Sequence, residues 1–494
     1  MNALPSLLYD ARGTRALDRY AIDTLDIPGF TLMQRAGRAA FDELARRWPR
    51  ARRLSVVCGG GNNGGDGFII GALAREAGYD VRLLAIADPA RLTGDAARAL
   101  ALAVAAGLVV EPWSGRMAAA DVIVDALFGT GIDRPVQGVG LEVIDAINAA
   151  ACPVLAVDVP SGLDASSGYN HGAAVVATAT ISFIALKQGL LTGDGPACAG
   201  DIVYAPLDLS AACFDAVAPT ARRLDYAQSA NRFTPRRRTA HKGDFGHVLV
   251  VGGAPGFGGG ARLAAAAAAR VGAGLVSLAT HPDHAANIGL ARPEIMCHGI
   301  AAATDLRRLA ARASVLAIGP GLGQDAWGRT LLAAVREFRG PQVWDADALN
   351  LLAADPDDRG ERILTPHPGE AARLLASATA TIAQDRFAAA AAIARRYRSV
   401  TLLKGAGTIV QAPSTLPTVI GGGNPGMASG GMGDVLCGVI AGLLAQGWAL
   451  ADAAALGACV HAEAADRAAR HGGERGMLAG DLMPFLRTSV NPPA

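Results

Sequence analysis

Short apolar runs alternate with segments of helical periodicity in the first half of the chain. The pattern predicts strands at "RLSVVC", "DVRLLAIA", "DVIVDALF" and "PVLAVDV", separated by helices such as "FIIGALAREAG", "TGDAARALALAVAAG" and "LEVIDAINAA". Strands that are buried on both faces read as nearly continuous apolar runs, so we expect a parallel sheet covered by helices on both sides. The pattern lapses after "GDIVYAPLDL". We therefore place a domain boundary near residue 220.

The second half restarts the same alternation. A strand at "HVLVVGG" precedes an alanine-rich helix at "GARLAAAAAARVGAG", and further strands are predicted in "LVSLAT", "SVLAIGPGLG", "QVWDADALNLL", "RILTPHPGEAARLL" and "VTLLKGAGTIV". Helices are expected from Asp434 onward. A chain of 494 residues rarely forms a single core. We predict two α/β domains, residues 1–220 and 221–494.

Composition favours small molecules as partners. The net charge is +1, and 18% of the residues are charged, so no long-range field would attract nucleic acid or an anionic membrane. Seven scattered cysteines contain no CxxC pair, which is typical of a reducing compartment. The N-terminus has no pattern of an export signal, and long uncharged stretches are interrupted by glycine and proline. We expect a cytoplasmic protein that binds neither nucleic acid nor membrane.

A glycine-rich segment, "CGGGNNGGDGF", spans residues 58–68. It contains a formal GxGxxG, Gly59 to Gly64, and Asp88 ends the next strand where a dinucleotide-binding fold places its ribose-binding acid, so that fold is one alternative. The helix of that fold should begin at once, whereas "NNGGDG" is expected to form an intervening loop. Asparagine and aspartate supply oxygen donors, and the glycines let the backbone bend around one point. The loop therefore favours a bound cation.

Two further predicted strands end in similar chemistry. Asp125 precedes a loop at 129–135, and Asp158 is followed by Ser161 in "DVPSGLD". Each residue alone also suits a helix cap or a turn. The carboxyl ends of parallel strands line one crevice, so we expect Asn63, Asp125, Asp158 and Ser161 to meet there.

Lysine is scarce in this chain. Lysine and arginine total 45, but the only lysines are Lys187, Lys242 and Lys404. Where arginine is the default cation, a remaining lysine is expected at a position that needs a compact ammonium group.

A second glycine-rich segment, "GGGNPGMASGGMGDVLCG", leads into an apolar helix. Backbone N–H groups at such a helix start can bind an anion, and Asp434 at its mouth can accept a proton from a hydroxyl. The arrangement favours phosphoryl transfer, although "GMGD" alone also suits a turn with a capping aspartate.

The first half resembles the YjeF N-terminal family, the NAD(P)HX epimerases. The resemblance lies in "GGGNNGGDGF", "DALFGTGIDRP", "DVPSGLD" and "FIALKQG". It implies a Rossmann-like three-layer fold that interconverts the R and S forms of 6-hydroxylated NADH or NADPH. It also implies that K+ is bound by Asn63, Asp125 and Ser161. The implied substrate contacts are Asn62, Asn63, Gly64, Gly65, Asp66, Gly129, Thr130, Gly131, Ile132, Asp133, Arg134, Pro135 and Asp158.

Epimerisation needs a proton to move, and we assign Asp158 as the general acid/base. Animal members of the family carry a lysine in the loop that reads "GTGIDRP" here, with Asp133 near that place. A mechanism that depends on that lysine is not expected, and we assign charge balance to Lys187.

The second half resembles the YjeF C-terminal family, which is ribokinase-like. The resemblance lies in "HKGDFGHVLVVGGAPGFGGGA", "IGPGLG", "WDADALNLL", "TPHPGE", "LLKGAGTIV" and "GGNPGMASGGMGDVLCG". It implies a dehydratase that acts on (S)-NAD(P)HX and uses ADP with Mg2+. The implied substrate contacts are Ala261, Gly321, His367 and the catalytic Asp434. The implied nucleotide contacts are Lys404, Gly405, Ala406, Gly407, Thr408 and Gly433.

Together the two resemblances imply a fused enzyme that repairs hydrated NADH and NADPH, and we expect it to be a homo-oligomer. Two alternatives remain open. The second half is also compatible with a small-molecule kinase, and the first half with a binding module. Retention of Asn63, Asp125, Asp158 and Ser161 argues against a binding module.

Overall fold

The computed structural model describes residues 4–117, 119–132 and 134–492. Two compact units divide between Arg222 and Arg223, two residues beyond the predicted boundary. No helix within the described ranges has the length and apolarity needed to cross a membrane. The expected cytoplasmic location and homo-oligomeric state stay predictions.

The first unit is built around a seven-stranded parallel sheet. Its strands are β2 (Arg53–Cys58), β3 (Asp80–Ala85), β4 (Val110–Pro112), β5 (Val122–Ala126), β6 (Val154–Val157), β7 (Ala179–Phe183) and β8 (Asp201–Ala205); β1 (Leu7–Leu8) lies outside this sheet, and β9 (Ala221–Leu224) contains the division between the units. The sheet order is β4-β3-β2-β5-β6-β7-β8. The helices are α1 (Ala11–Asp23), α2 (Gly29–Arg47), α3 (Asn62–Glu76), α4 (Gly94–Ala105), α5 (Val139–Asn148), α6 (Gly195–Cys198) and α7 (Ala211–Asp215), with 3-10 turns at Pro89–Arg91 and Gln188–Leu191.

Helices cover both faces of this sheet, which confirms the predicted three-layer architecture. Alternate strand residues enter two different cores, as Val56 and Val57 do. One core includes side chains of α1 to α4, and the other is closed by α5 through Val143, Ile144 and Ile147. The strand order reverses direction between β2 and β5, and open α/β sheets bind ligands at such a switch point.

The helix after β2 starts earlier than expected. We predicted "NNGGDG" as a loop, but α3 begins at Asn62, so those residues form its first turns. The early start is possible because Gly64 and Gly67 approach neighbouring backbone and side chains too closely for a larger residue. The loop argument against a dinucleotide fold is therefore wrong. Asp88, the predicted ribose-binding acid of that alternative, is exposed. It caps the 3-10 turn Pro89–Arg91 by accepting a hydrogen bond from the Ala90 N–H.

The second unit contains a mixed sheet. Its strands are β10 (His247–Val251), β11 (Leu275–Thr280), β12 (Met296–Gly299), β13 (Val315–Ile318), β14 (Gln342–Trp344), β15 (Arg362–Leu364), β16 (Val400–Leu403), β17 (Ile409–Gln411) and β18 (Thr418–Ile420). The order is β12-β11-β10-β13-β14-β15-β16, all parallel, followed by antiparallel β17 and β18.

Helices pack on both faces of this sheet as well. They are α8 (Tyr226–Ser229), α9 (Gly258–Arg270), α10 (Pro282–Ala291), α11 (Ala303–Ala310), α12 (Ala326–Val335), α13 (Asp347–Ala354), α14 (Pro368–Leu375), α15 (Thr379–Gln384), α16 (Arg386–Arg396), α17 (Met432–Ala445), α18 (Leu450–Gly472) and α19 (Leu482–Ser489). Four 3-10 turns lie at Ala230–Arg232, Lys242–Phe245, Pro425–Met427 and Ala479–Asp481. One core lies under α9, α17, α18 and α19, and the other under α12, α13, α14 and α16.

Candidate active sites

A cavity of about 1210 Å³ opens in the first unit, at the carboxyl ends of β2, β5 and β6. Its wall contains most of the residues that the sequence predicted as substrate contacts. These are Asn62, Asn63, Asp66, Gly129, Thr130, Gly131, Ile132, Arg134, Pro135 and Asp158. Asp133 lies outside the described residues.

Gly64 and Gly65 do not line the cavity. Both are buried within α3. A Cβ at Gly64 would lie 2.1 Å from the Gly59 carbonyl oxygen, and one at Gly65 would lie 2.6 Å from the Met33 Cε. Real Cβ atoms do not approach other atoms so closely. The structure thus gives these two glycines a packing role, and their substrate contacts stay a prediction.

Asp158 follows β6 and reaches the cavity with a lysine behind it. Its carboxylate forms an ion pair with Lys187 and accepts a hydrogen bond from the Phe183 N–H at 3.0 Å. Lys187 is completely buried and also donates to the Phe183 carbonyl oxygen at 2.7 Å. Asp158 has a φ of +67°, a left-handed conformation that non-glycine residues rarely adopt and that recurs at functional sites. Lys187 and the bend in the backbone fix this carboxylate at the cavity wall.

Two more carboxyl groups face the same cavity, on α3 and α1: Asp66 and Asp18. Neither forms a hydrogen bond or an ion pair with the described residues. Burial, followed by the charge of Asp158, raises the pKa of Asp66 well above its usual range, and the same two causes raise the pKa of Asp18. Lys187 opposes both shifts. The cavity therefore holds two acids with raised pKa values beside the carboxylate that is paired with Lys187.

We did not predict Asp18 as a site residue, although its position in the sequence indicates a special role. The buried positions of α1 are Gly13, Thr14, Leu17 and Ala21. Asp18 lies four residues after Thr14, so it interrupts a face that is otherwise buried. A carboxylate on such a face needs a partner or a function.

The predicted cation ligands converge beside this cavity. Asp125 is completely buried and accepts hydrogen bonds from the Ser161 hydroxyl at 2.6 Å and the Ser161 N–H at 2.9 Å. Burial raises the pKa of Asp125 to about 6. The Ser161 hydroxyl oxygen in turn accepts from the Phe128 N–H at 2.9 Å. Asn63 borders the same loop, because a Cβ at Gly129 would lie 3.5 Å from the Asn63 Oδ1.

This donor set fits a monovalent cation. Within the described structure the hydrogen-bond donors to Asp125 are all neutral, and a buried carboxylate is normally paired with a charge or a metal. Amide, hydroxyl and carboxylate oxygens are the ligands that hard cations prefer. The Asn63 Nδ2 is buried without a hydrogen-bond partner in the described structure. The Asn63 side chain is therefore not held in a two-way hydrogen bond with another amide group.

The second site is organised by an ion pair between Lys404 and Asp345. The Lys404 Nζ lies 2.6 Å from the Asp345 Oδ1 and 3.8 Å from the Glu370 Oε2. The Thr365 hydroxyl also donates to the Asp345 Oδ1, at 2.9 Å. Asp345 and Glu370 were not predicted as site residues, although "WDADALNLL" and "TPHPGE" contain them. The sequence feature that could have identified them is their position: Asp345 directly follows the buried strand β14, and Glu370 follows the buried strand β15.

Asp434 lies on the first turn of α17, which is preceded by Gly431 in a left-handed conformation. A Cβ at Gly260, on the first turn of α9, would lie 2.8 Å from the Asp434 Oδ2. Burial, helped by the charge of Asp345, raises the pKa of Asp434 to about 7, and Lys404 opposes the shift. A carboxyl with this pKa can accept a proton near neutral pH. Gly433 lies beside the ion pair, since its Cβ would be 3.2 Å from the Lys404 Nζ.

The remaining predicted contacts of the second unit lie around this centre. The Gly321 carbonyl oxygen accepts from the N–H of Gly253 at 2.9 Å, and a Cβ on Gly253 would lie 3.3 Å from the Ala261 Cβ. Ala261 is fully buried, so its side chain supports this loop and presents no surface to a ligand. His367 is exposed, and its Nε2 lies 3.4 Å from the Glu370 Oε1.

The nucleotide loop predicted from "LKGAGT" follows β16. Its members are Lys404, Gly405, Ala406, Gly407 and Thr408, of which Gly405 and Ala406 are exposed. Of the three lysines, Lys187 and Lys404 each pair with an aspartate. Lys242 is exposed in a 3-10 turn, so the expectation that lysine marks a site is supported at two positions of three.

Comparison with known proteins assigns both halves of the chain. The family described as YjeF-related protein N-terminus matches residues 29–189, and the family described as NAD(P)H-hydrate dehydratase matches residues 248–487. A bifunctional NAD(P)H-hydrate repair enzyme from Coxiella burnetii is 47% identical over 99% of this chain and 100% of its own length. The chain belongs to the bifunctional NAD(P)H-hydrate repair enzymes.

A second member of the NAD(P)H-hydrate repair enzymes, from Escherichia coli, is 43% identical over 99% of this chain and 95% of its own. Among solved structures, a ribokinase-like superfamily protein from Enterococcus faecalis covers 55% of this chain and 96% of its own, with 28% identity and a TM-score of 0.51. The predicted family and the ribokinase-like fold are confirmed.

Proposed function

We propose that the first unit interconverts the R and S forms of NADHX and NADPHX, and that the second unit dehydrates the S form at the expense of ADP. The observation that carries the proposal is that each unit holds a lysine–aspartate ion pair at its candidate site, with the proposed acid/base in the pair or next to it. In the first unit Asp158 is itself the paired aspartate, and in the second Asp434 lies next to the Lys404–Asp345 pair.

In the first unit the substrate carbon bears a hydroxyl group next to the ring nitrogen. Asp66 donates a proton to that hydroxyl, and the C–O bond breaks as the nitrogen lone pair forms a double bond to carbon. The released water returns to the opposite face and gives a proton to Asp158. General acid–base catalysis of this kind typically contributes about 100-fold to 10,000-fold.

K+ would be held by Asn63, Asp125 and Ser161. Its chemistry is to balance the buried Asp125 charge and to fix the loop that carries Gly129. We expect K+ to raise the melting temperature of the wild-type protein more than choline does at equal ionic strength. Asp125→Asn removes the charge that K+ balances and should abolish that difference; an unchanged difference would place the ion elsewhere.

In the second unit Asp434 accepts the proton of the substrate hydroxyl as the hydroxyl oxygen takes the terminal phosphoryl group of ADP, and AMP leaves. Phosphate then leaves with the C–O bonding electrons, the ring nitrogen donates its lone pair, and loss of a proton from the adjacent carbon restores the dihydronicotinamide. The protein contributes mainly positioning and charge stabilisation to such a transfer.

ADP would bind at the loop formed by residues 404–408, next to Gly433. Mg2+ fits as a companion of the phosphates. The described residues contain no group of three His, Cys, Asp or Glu side chains placed to hold a metal, and Mg2+ is commonly held by phosphates, water and one or two carboxylates.

The test supplies a mixture of NADHX epimers with ADP and follows the recovery of dihydronicotinamide absorbance. Complete recovery is expected from the wild type. Asp158→Asn should stop recovery when the S form is spent, and Asp434→Asn should prevent recovery while leaving epimer exchange intact. Loss of both activities in either variant would contradict the assignment to two sites, and a stable phosphorylated product would identify a kinase.

A further inference from the structure

A buried arginine lies directly beneath the loop formed by residues 404–408. Arg386 is the first residue of α16 and is only 5% exposed. Its Nη2 lies 3.3 Å from the carbonyl oxygens of Leu403 and Lys404 and 3.5 Å from that of Gly407, and its Nη1 lies 3.4 Å from the Lys404 oxygen. One guanidinium group therefore donates to carbonyls at both ends of the loop.

Gly405 is shaped to this guanidinium. Its φ is +140°, and a Cβ built on it would lie 2.8 Å from the Arg386 Nη1. Any larger residue would strain the backbone and push the arginine away. Gly405 thus leaves the space that the guanidinium occupies, and the Arg386 side chain packs directly against the loop.

The direction of the carbonyls determines the direction of the loop N–H groups. In a trans peptide the C=O and N–H of one unit point to opposite sides. Because the Lys404 and Gly407 carbonyls point toward Arg386, the Gly405 and Thr408 N–H groups point away from it. N–H groups presented together by a glycine-rich turn form a concave site for anions.

Charge favours the same ligand. Burial lowers the pKa of Arg386 to about 10, so the guanidinium remains protonated at neutral pH. Lys404, at the start of the loop, supplies a second cation. Two cations and the outward N–H groups suit the phosphates of a nucleoside diphosphate.

We infer that Arg386 is a positioning residue that holds the 404–408 loop in its phosphate-binding conformation. The inference rests on the proposed use of ADP by the second unit. Arg386 lies behind the loop and reaches the nucleotide only through the peptide groups that it orients.

The test uses Arg386→Met and Arg386→Lys in the full-length chain and measures KM for ADP and for (S)-NADHX. We expect both variants to raise KM for ADP about tenfold or more, with KM for (S)-NADHX changed less than twofold. Lysine keeps the charge but has no planar fork, so it cannot reproduce the donation of both Nη1 and Nη2 to the Lys404 carbonyl oxygen. Arg395→Met, at an exposed position on the same helix, is the matched control and should leave both constants unchanged.

A second variant covers the case in which Arg386→Met does not fold. Gly405→Ala places a methyl group against the guanidinium and should raise KM for ADP in the same selective way. An unchanged KM for ADP in the Arg386 variants, or an equal rise in both constants, would overturn the inference. Wild-type turnover that does not depend on ADP would instead overturn the proposed function, and the inference with it.

Discussion

At the scale of single residues, the two lysines that pair with aspartates perform the same electrostatic task. Lys187 pairs with Asp158 after β6, and Lys404 pairs with Asp345 after β14. Each pair lies at a strained backbone, since Asp158 has φ of +67° and Ala346 has φ of +48°. Such conformations cost about 1–3 kcal/mol and persist where the surroundings enforce them. The ion pairs thus help to hold reactive geometry in both units.

Replacing Lys187 tests this task in the first unit. We expect Lys187→Met to lower epimerisation about 100-fold, because Asp158 loses the ammonium group that pairs with its carboxylate and holds it in place. The dehydratase activity of the same preparation should be unchanged. The measurement is epimer exchange followed by chromatography, together with the melting temperature.

Loss of stability alone must be separated from loss of catalysis. Removing one member of a buried pair typically costs about 3–5 kcal/mol, because the partner charge is left buried. The double variant Lys187→Met/Asp158→Asn should regain much of the melting temperature but none of the activity. Recovery of epimerisation in the double variant would show that Asp158 is not the acid/base.

Asp434 gives the second unit a defined pH dependence. A general base works only when it is deprotonated, and burial with neighbouring carboxylates raises the pKa of Asp434 to about 7. We expect kcat/KM of the dehydratase to rise with pH through about 7 and to level off above that pH. Rates measured across this range with saturating ADP check the midpoint.

A nearby substitution should move that midpoint. Asp347 raises the pKa of Asp434 through its charge, and its carboxylate accepts from the Gly323 N–H at 2.9 Å. Asp347→Asn keeps an acceptor oxygen but removes the charge, so the midpoint should shift to lower pH. A midpoint that does not respond, or a flat profile near pH 7, would contradict the assignment of Asp434 as the base.

At the scale of elements, the strands and the meeting of their ends could be predicted, but the start of α3 could not. The spacing and the proportion of apolar residues in the sequence directly identify a strand such as Arg53–Cys58. Glycine-rich sequence normally argues against helix, whereas here Gly64, Gly65 and Gly67 are needed for close packing of α3. That requirement comes from tertiary contacts, which local sequence does not contain. For the same reason Asp18 could not be connected to a cavity before α1 was placed against it.

The first turn of α9 offers a test of such packing in the second unit. A Cβ at Gly260 would lie 2.8 Å from the Asp434 Oδ2, whereas nothing lies within 4 Å of a Cβ at Gly259. Gly260→Ala should therefore displace Asp434 and reduce dehydratase kcat about tenfold or more, since small misplacements of catalytic groups are costly.

Gly259→Ala is the matched control on the same turn and should keep kcat within about twofold, since alanine is also the better helix former. Both variants should melt within a few degrees of the wild type. Equal activity of the two variants would mean that the space around Asp434 is not critical for catalysis.

At the scale of the whole molecule, each unit has its own cores. Among the described residues, the two large hydrophobic clusters of the first unit lie within residues 9–217, and those of the second unit lie within residues 224–490. Each candidate site is likewise built from residues of one unit. We therefore expect the two activities to work together even when the active epimerase unit and the active dehydratase unit belong to different chains.

Mixing two inactivated full-length chains tests this independence. Asp158→Asn retains the dehydratase and Asp434→Asn retains the epimerase, so an equimolar mixture should convert an epimer mixture of NADHX completely to NADH. Because the S form would pass through solution, the rate of the slow phase should increase in proportion to the concentration of Asp434→Asn. Each variant alone is the control, and neither should reach completion on the time scale of the mixture. Incomplete recovery by the mixture would show that the substrate must be handled by two intact sites of one chain.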